Sequence, residues 1–448
     1  MGIVPAELSS TELSAIRGAF LDFVGDPFFQ SVAESVRYLP DGLLVLKDGT
    51  IADFGPYDQL QAKYGKVKTT HYPDKLILPG FIDIHIHYPQ TEMIASYGAQ
   101  LMEWLETYTF PTEAKFKDTV YARHIAEFFL DELLRNGTTT ALVLPTTFPQ
   151  SVEVLFEEAQ RRNMRLIAGQ VLMSRNAPED LLTPAQTAYS QMREQIQKWH
   201  GKGRSLYAIT PRFAVTCTEE ELQLAGSLAA EFPEVYVHTH LAENKKEVAL
   251  TAELFPDRSD YLNVYEHYGL VRDRAVFAHC IQLDESAFER LSQAGATIAF
   301  CPTSNLFLGS GLFPLHQAKH TEHPIKVGLA TDVGGGTSFS QLQTMAAAYQ
   351  VMQLQGKSLS PFQAFYLATL GAAQSLSLED KLGNFAIAKE ADFIVLDAQA
   401  TPLMQLRNPV PVPQSIEAIA TTLFAIMLLG DDRAITATYV GGALTTKL

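Results

Sequence analysis

The chain has 448 residues, 47% of them hydrophobic, enough to bury a large core as one big domain or two or three ordinary ones. Fifty acidic against thirty-four basic residues leave a formal charge of -16 with no local Lys/Arg cluster, which argues against a nucleic-acid partner. Cys217, Cys280 and Cys301 are far apart and lack CxxC spacing, so they suggest neither a disulfide framework nor a cysteine zinc knuckle, and they point to a reducing compartment.

In chain order, "MGIVPAELSSTELS" lacks the basic and apolar pattern of a signal peptide. "AIRGAFLDF" and "GLLVLKDGTIADFG" then read as strands, the second folded at the turn dipeptide Asp48-Gly49. Eight short apolar, β-branched runs follow: "LILPGFIDIHIH", "TTTALVLPTT", "RLIAGQVLM", "SLYAITPRF", "EVYVHTHLAE", "RAVFAHC", "ATIAFCPTS" and "IKVGLATDVGGG". Segments such as "DTVYARHIAEFFLDELLRNG" and "SVEVLFEEAQRRN" separate them, with apolar residues at helical spacing and a closing Gly or Asn. Eight strand-helix alternations over roughly 250 residues predict a parallel (β/α)8 barrel across 78-377. "FAIAKEADFIVLD" and "TATYVGGALTT" near the end again read as strands. Residues 1-77 and 378-448 are therefore expected to form one small β-sandwich domain from both chain ends. "AIATTLFAIMLLG" is too short for a bilayer and interrupted by Thr421 and Thr422, so a cytoplasmic protein without membrane contact is expected.

Barrel enzymes gather their chemistry at the C-terminal ends of the strands. Strand one ends with His85 and His87, strand five with His240, strand six with His279 and strand eight with Asp332. Alternation along strand one puts Asp83, His85 and His87 on one face. Neutral imidazoles and a carboxylate are good zinc ligands that leave a position open for water, so this face is expected to bind a metal. His238 shares a face with His240 one layer deeper, where a supporting or structural role is expected, as for Asp83. His316 and His320 in "HQAKH" have a metalloprotease spacing without its Glu and read as surface residues. The glycines near Gly309 and Gly334 read as tight loops.

Water bound to zinc ionises near pH 7, and Asp332 beside it can accept its proton. Attack on an aromatic ring carbon also needs a ring nitrogen to be protonated, and Glu243, one turn past His240, is a carboxylic acid in reach. Arg212 and Phe213 close strand four and Gln90 follows the strand-one histidines, so a donor fork, an aromatic face and an amide converge on one mouth. A surface salt bridge for Arg212 and plain core packing for Phe213 are the alternatives.

"HIH", "HLAE", the His of "FAHC" and the Asp of "TDVGGG" resemble the amidohydrolase superfamily, specifically its deaminase branch. With "LMEWLETYTFPTE" and "ITPRFAVTCT" added, the set is similar to the guanine deaminase family over nearly the whole chain. The resemblance implies one Zn2+ per chain on His85, His87, His240, His279 and Asp332. It implies Glu243 as the proton donor to purine N3, His279 as the residue holding the attacking hydroxide, and Gln90, Arg212 and Phe213 as guanine contacts. It further implies hydrolysis of guanine to xanthine and ammonia in purine catabolism or salvage, by a homodimer. The competing enzyme reading is an aminohydrolase for another purine, a triazine or a pterin-like ring. A two-metal hydantoinase would need a carboxylated Lys in "SLYAITPRF", which has none. A scaffold on this fold would be expected to have lost ligands, and the nucleoside deaminases with cysteine ligands need a PCxxC motif that is absent.

Overall fold

A computed structural model describes residues 13–98 and 100–445, so most of the stretch read for a targeting signal lies outside the described residues. The eight apolar runs form the expected parallel strands: β1 (Phe81–His87), β2 (Thr138–Leu144), β3 (Arg165–Ala168), β4 (Ser205–Pro211), β5 (Tyr236–Leu241), β6 (Ala275–His279), β7 (Thr297–Phe300) and β8 (Lys326–Leu329). They are hydrogen-bonded in sequence order. The barrel closes just past β8, where Asp332 N donates to His85 O at 3.0 Å and His87 N to Val333 O at 2.9 Å.

The connecting helices begin and stop where their sequences say. Asp118 caps Thr119–Arg135, accepting from Val120 N, and left-handed Gly137 (φ 81°) follows that helix. Left-handed Asn163 (φ 53°) follows Pro149–Arg161. Inside the barrel, Ile82, Leu142, Tyr236, Val276 and Ala299 pack against Ala372, Ala373 and Leu376 of the helix and turn at 370–376. That helix plugs the N-terminal end of the barrel: Tyr236 and Thr297, at or next to the start of their strands, donate to Leu376 O and Ser375 O at 2.6 and 2.8 Å. The C-terminal end is left open for chemistry.

Strands from both chain ends build one seven-stranded mixed sheet. It coils until its edges meet, with the Gly49 turn packed on Gly441 and Phe20, Phe54 and Phe385 in mutual contact. The sandwich-like core is thus made by one curled sheet. The run "LILPGFIDIHIH" is two strands, because its first residues finish Lys68–Pro79 of this sheet and only the rest is β1. Gly80 sits at the join, where any Cβ would overlap the Thr139 side chain. The first half of Lys68–Pro79 is exposed and polar, so no apolar alternation announced it. In "FAIAKEADFIVLD" only Phe393–Leu396 is strand. The apolar run "AIATTLFAIMLLG" lies in the helix Ile416–Leu429, and among the described residues no helix is long and apolar enough to cross a membrane.

The sheet is latched to the N-terminal end of the barrel by charge. Glu390 accepts from Arg165 Nε at 3.0 Å and Arg204 Nη2 at 2.6 Å, and Asp392 also accepts from Arg204 at 2.5 Å. Arg165 is buried and the Arg204 side chain is only 12% exposed, so neither guanidinium can turn to water when its partner goes. Breaking a buried pair from one side costs more than the pair contributes. Glu390→Ala is expected to destabilise the fold by roughly 3 kcal/mol, less than the full penalty because Asp392 still holds Arg204. A lowered thermal midpoint with unchanged metal content checks this, and an unchanged midpoint would show that the latch contributes nothing.

Candidate active site

β1 does not alternate evenly. Its register against β2 slips between Asp83 and Ile86, three steps on β1 spanning the two from Ala141 to Val143. Such a bulge reverses which face the following residues occupy. Ile82 and Ile84 therefore pack in the barrel interior, and beyond the slip His85 and His87 take over that inward direction. Asp83 is not on the histidine face, contrary to the alternation argument. Its carboxylate accepts from Thr331 N at 3.2 Å, Thr331 Oγ1 at 2.5 Å and His85 N at 3.3 Å, tying β1 to the end of β8.

The five strand-end residues converge. His85 Nε2 and His87 Nε2 lie 3.2 and 3.3 Å from Asp332 Oδ1, His240 Nε2 lies 3.3 Å from His87 Nε2, and His279 Nε2 lies 3.7 Å from Asp332 Oδ2. His279 reaches the group only because its backbone leaves the strand: Ala275 and Phe277 face the outer core, and a φ of 71° at His279 redirects its ring. Asp332 is also left-handed, at φ 51°. Non-glycine residues held this way cost about 1–3 kcal/mol each, and they cluster at sites where side chains must be aimed. Gly336 fixes the following loop, since a Cβ there would overlap Thr331 O.

Three of the four rings are held from behind, while His87 Nδ1 is buried without a hydrogen-bond partner. His85 Nδ1 is 2.7 Å from His238 Nε2, His240 Nδ1 is 2.6 Å from Arg212 O, and His279 Nδ1 is 2.8 Å from Asn305 Oδ1. His238 thus acts on His85 from the deeper layer. Burial drives His87 down to about 4 and holds His85, His238 and His240 below the ordinary imidazole range, so these four are neutral at pH 7. Burial alone would raise Asp332, yet the surrounding imidazoles keep it well below the usual carboxylate range.

A neutral cluster of this kind needs something at its centre. His85 Nε2 is buried with no hydrogen-bond partner, and the donor atoms of His85, His87 and His240 lie within 4.8 Å of one another. The residues fit a divalent cation, which alone can satisfy several facing imidazole nitrogens at once. Cys301, which the lack of CxxC spacing set aside as a metal ligand, joins His85, His279 and Asp332 within the same distance. Burial pushes its thiol well above the usual range, so it stays protonated.

Glu243 lies at the cavity floor with Oε2 3.4 Å from His279 Nε2, and Ser310 Oγ donates to its Oε1 at 2.9 Å. Burial first, and the Asp332 charge second, push its carboxyl up to about 8, against the opposing Ser310 bond. Glu243 is therefore an acid that carries a proton at neutral pH. Gln90, Arg212 and Phe213 line the same cavity, under a roof of Leu101, Trp104 and Leu105. Phe213 belongs to the apolar cluster of that roof. Arg212 makes no surface salt bridge: its Nη1 donates to buried Glu113 Oε2 at 2.6 Å. Gln90 is engaged at both ends of its amide, accepting from Gly334 N at 3.1 Å and donating to Glu113 Oε1 at 3.4 Å. Glu113, Ser310 and Asn305 had no strand end to mark them. Glu113 lies within "LMEWLETYTFPTE", but nothing in that motif says which of its three Glu residues is buried. His316 and His320 are exposed.

The barrel, the strand-end histidines and the eighth-strand aspartate define the class: this chain belongs to the amidohydrolase family, whose sequence model matches residues 76–445. Within that family, guanine deaminases are among its relatives. It is 51% identical over 96% of its length to the guanine deaminase of Escherichia coli K12, covering 97% of that protein. The crystal structure of guanine deaminase from Bradyrhizobium japonicum superposes with a TM-score of 0.94 at 42% identity, over 98% of this chain and 100% of the other. That of guanine deaminase from C. acetobutylicum, with guanine bound in its active site, gives 0.86 at 28% identity, over 97% and 100%.

Proposed function

We propose that this chain hydrolyses guanine to xanthine and ammonia, using one zinc ion held by His85, His87, His240, His279 and Asp332. The observation that carries the reading is the buried Glu243 carboxyl 3.4 Å from His279, beside the convergent histidines and Asp332, under a roof whose wall presents Arg212 and Phe213. Identity of 51% to a guanine deaminase supports the choice of substrate. A zinc ion, when bound, supplies a Lewis acid that brings the pKa of a water to about 7. Asp332 is placed to take a proton from the water that adds to C2, and Glu243 to give its proton to N3 as negative charge develops on the ring. Asp332 then passes its proton to the C2 amine, the C2–N bond breaks to release ammonia, and the proton of the new C2 hydroxyl returns to Glu243 as C2=O forms. His279, between the two carboxyls, orients the attacking oxygen. Phe213 bounds the ring face and Arg212 donates to O6. A cytoplasmic homodimer is part of the same reading, supported by three buried, unpaired cysteines and by the family likeness; light scattering of the purified protein tests the dimer.

The experiment is to incubate zinc-loaded protein with guanine, adenine, cytosine and their nucleosides and to measure ammonia. Adenine presents an amino group where guanine presents O6, so it would leave the buried Arg212 donors unpaired. Sites built on hydrogen bonds reject such analogues by about 10⁴. Guanine is expected to exceed adenine in kcat/KM by roughly that order, and Arg212→Met to collapse most of the preference with zinc retained. Comparable turnover of adenine by the unmodified protein would overturn the reading.

A further inference from the structure

Behind the purine wall lies Glu113, fully buried in the short helix Phe110–Ala114, and it touches both Gln90 and Arg212. We infer that Glu113 is a positioning residue that neutralises Arg212 and fixes its aim, so that the site selects an uncharged lactam ring over an anionic one.

The Arg212 guanidinium belongs to a residue only 2% exposed, too deep for water to compensate its charge. Its ring-side neighbours offer another anion: Asp332 lines the same cavity. Without Glu113, the cation would either turn toward that carboxylate or stand uncompensated at the wall. Glu113 prevents both by taking Nη1 at 2.6 Å from the side away from the cavity, while the Phe110 ring, 5.5 Å from the guanidinium carbon, confines it. The outcome is a directional donor with no net charge. Such a pair suits the neutral C=O of a lactam, whereas an anionic ring meets the Glu113 charge just behind the guanidinium and gains little.

Gln90 reinforces this. Gly334 N occupies its amide oxygen, so its NH2 must face Glu113, and one carboxylate thereby orders both polar side chains of the wall. Glu113 also ties three segments together: it follows the turn at Leu105–Thr109, Gln90 follows β1, and Arg212 follows β4.

The inference rests on the purine reading above. Its test uses zinc-loaded protein and two readouts: steady-state kinetics on guanine, and calorimetric binding of urate, a ring that is anionic at neutral pH. In Glu113→Gln the guanine KM is expected to rise about tenfold or more with kcat changed far less, and urate is expected to bind about tenfold more tightly. Glu113→Asp keeps the charge and is expected to lose guanine affinity without gaining urate affinity. In Glu113→Gln/Arg212→Met the guanine KM is expected to match that of Arg212→Met alone, because the two residues act as one unit. A purely structural role would weaken both ligands together and lower the melting temperature in all variants, and that pattern overturns the proposal. So does an unchanged guanine KM in Glu113→Gln, or equal urate affinity in Glu113→Gln and the unmodified protein. Should Glu113→Gln fail to fold, the urate affinity of Glu113→Asp decides: a gain there overturns the proposal and no gain supports it. Failure of the unmodified protein to release ammonia from guanine would instead sink the substrate reading, while urate binding would still report on the charge of the wall.

Discussion

His87→Ala is expected to strip about one equivalent of zinc per chain and abolish turnover, whereas His320→Ala does neither. His87 contributes a neutral nitrogen, its proton affinity lowered by burial to about 4, to a group whose other members lie within a few ångströms. An alanine there removes one donor from the wall formed by β1 and leaves His240 facing a gap. Because β1 carries two of the five donors, and because the bulge at Asp83–Ile86 aims both, loss of one cannot be made good by a neighbour. Cys301 is a nearby further donor, but it lies with His85, His279 and Asp332 and is not grouped with His87 and His240. His320 is an exposed residue after the short helix Leu315–Ala318 and controls for general effects of losing a histidine. Elemental analysis of both purified variants decides the matter: full metal content in His87→Ala would overturn the site.

The barrel was legible because each of its strands is a short apolar run bounded by helical periodicity, and burial on both faces forces that composition. The site was legible for a related reason. A histidine at the end of a buried parallel strand is costly unless it binds something, and four such positions stand out against an apolar background. What could not be read has physical causes of three kinds. The bulge in β1 depends on pairing with β2, a relation between segments that no single run displays, so Asp83 was assigned to the wrong face. The strand Lys68–Pro79 is half solvent-exposed and polar, and its pairing with Ser14–Phe23 and Phe393–Leu396 defines it more than its own residues do. Glu113, Asn305 and Ser310 come from loops and short helices, whose residues enter the site only through the tertiary fold. For Arg212 and Phe213 the sequence left alternatives open, and both line the cavity, one paired to Glu113 and the other packed in the roof.

Glu243→Gln is expected to keep its zinc and lose kcat by roughly 10² to 10⁴ or more. The substituted glutamine would fill the same volume and could still take the Ser310 hydroxyl that now bonds Glu243 at 2.9 Å, so neither the cavity nor the histidine cluster need move. What the amide cannot do is give up a proton and take one back. The native carboxyl can, because burial and the Asp332 charge raise it to about 8. An acid is in its working form below its pKa and lost above it, so kcat/KM falls on the alkaline side. A bound cation favours the ionised carboxylate, so that limb should lie no higher than about pH 8. The glutamine variant should lose both the rate and the limb, retaining only what the cation, Asp332 and His279 supply. Steady-state kinetics across pH, with metal content measured on the same samples, test both parts. Near-normal kcat in a metal-replete Glu243→Gln protein would remove Glu243 from proton transfer. A reduced kcat with the alkaline limb unchanged would assign that limb to another group.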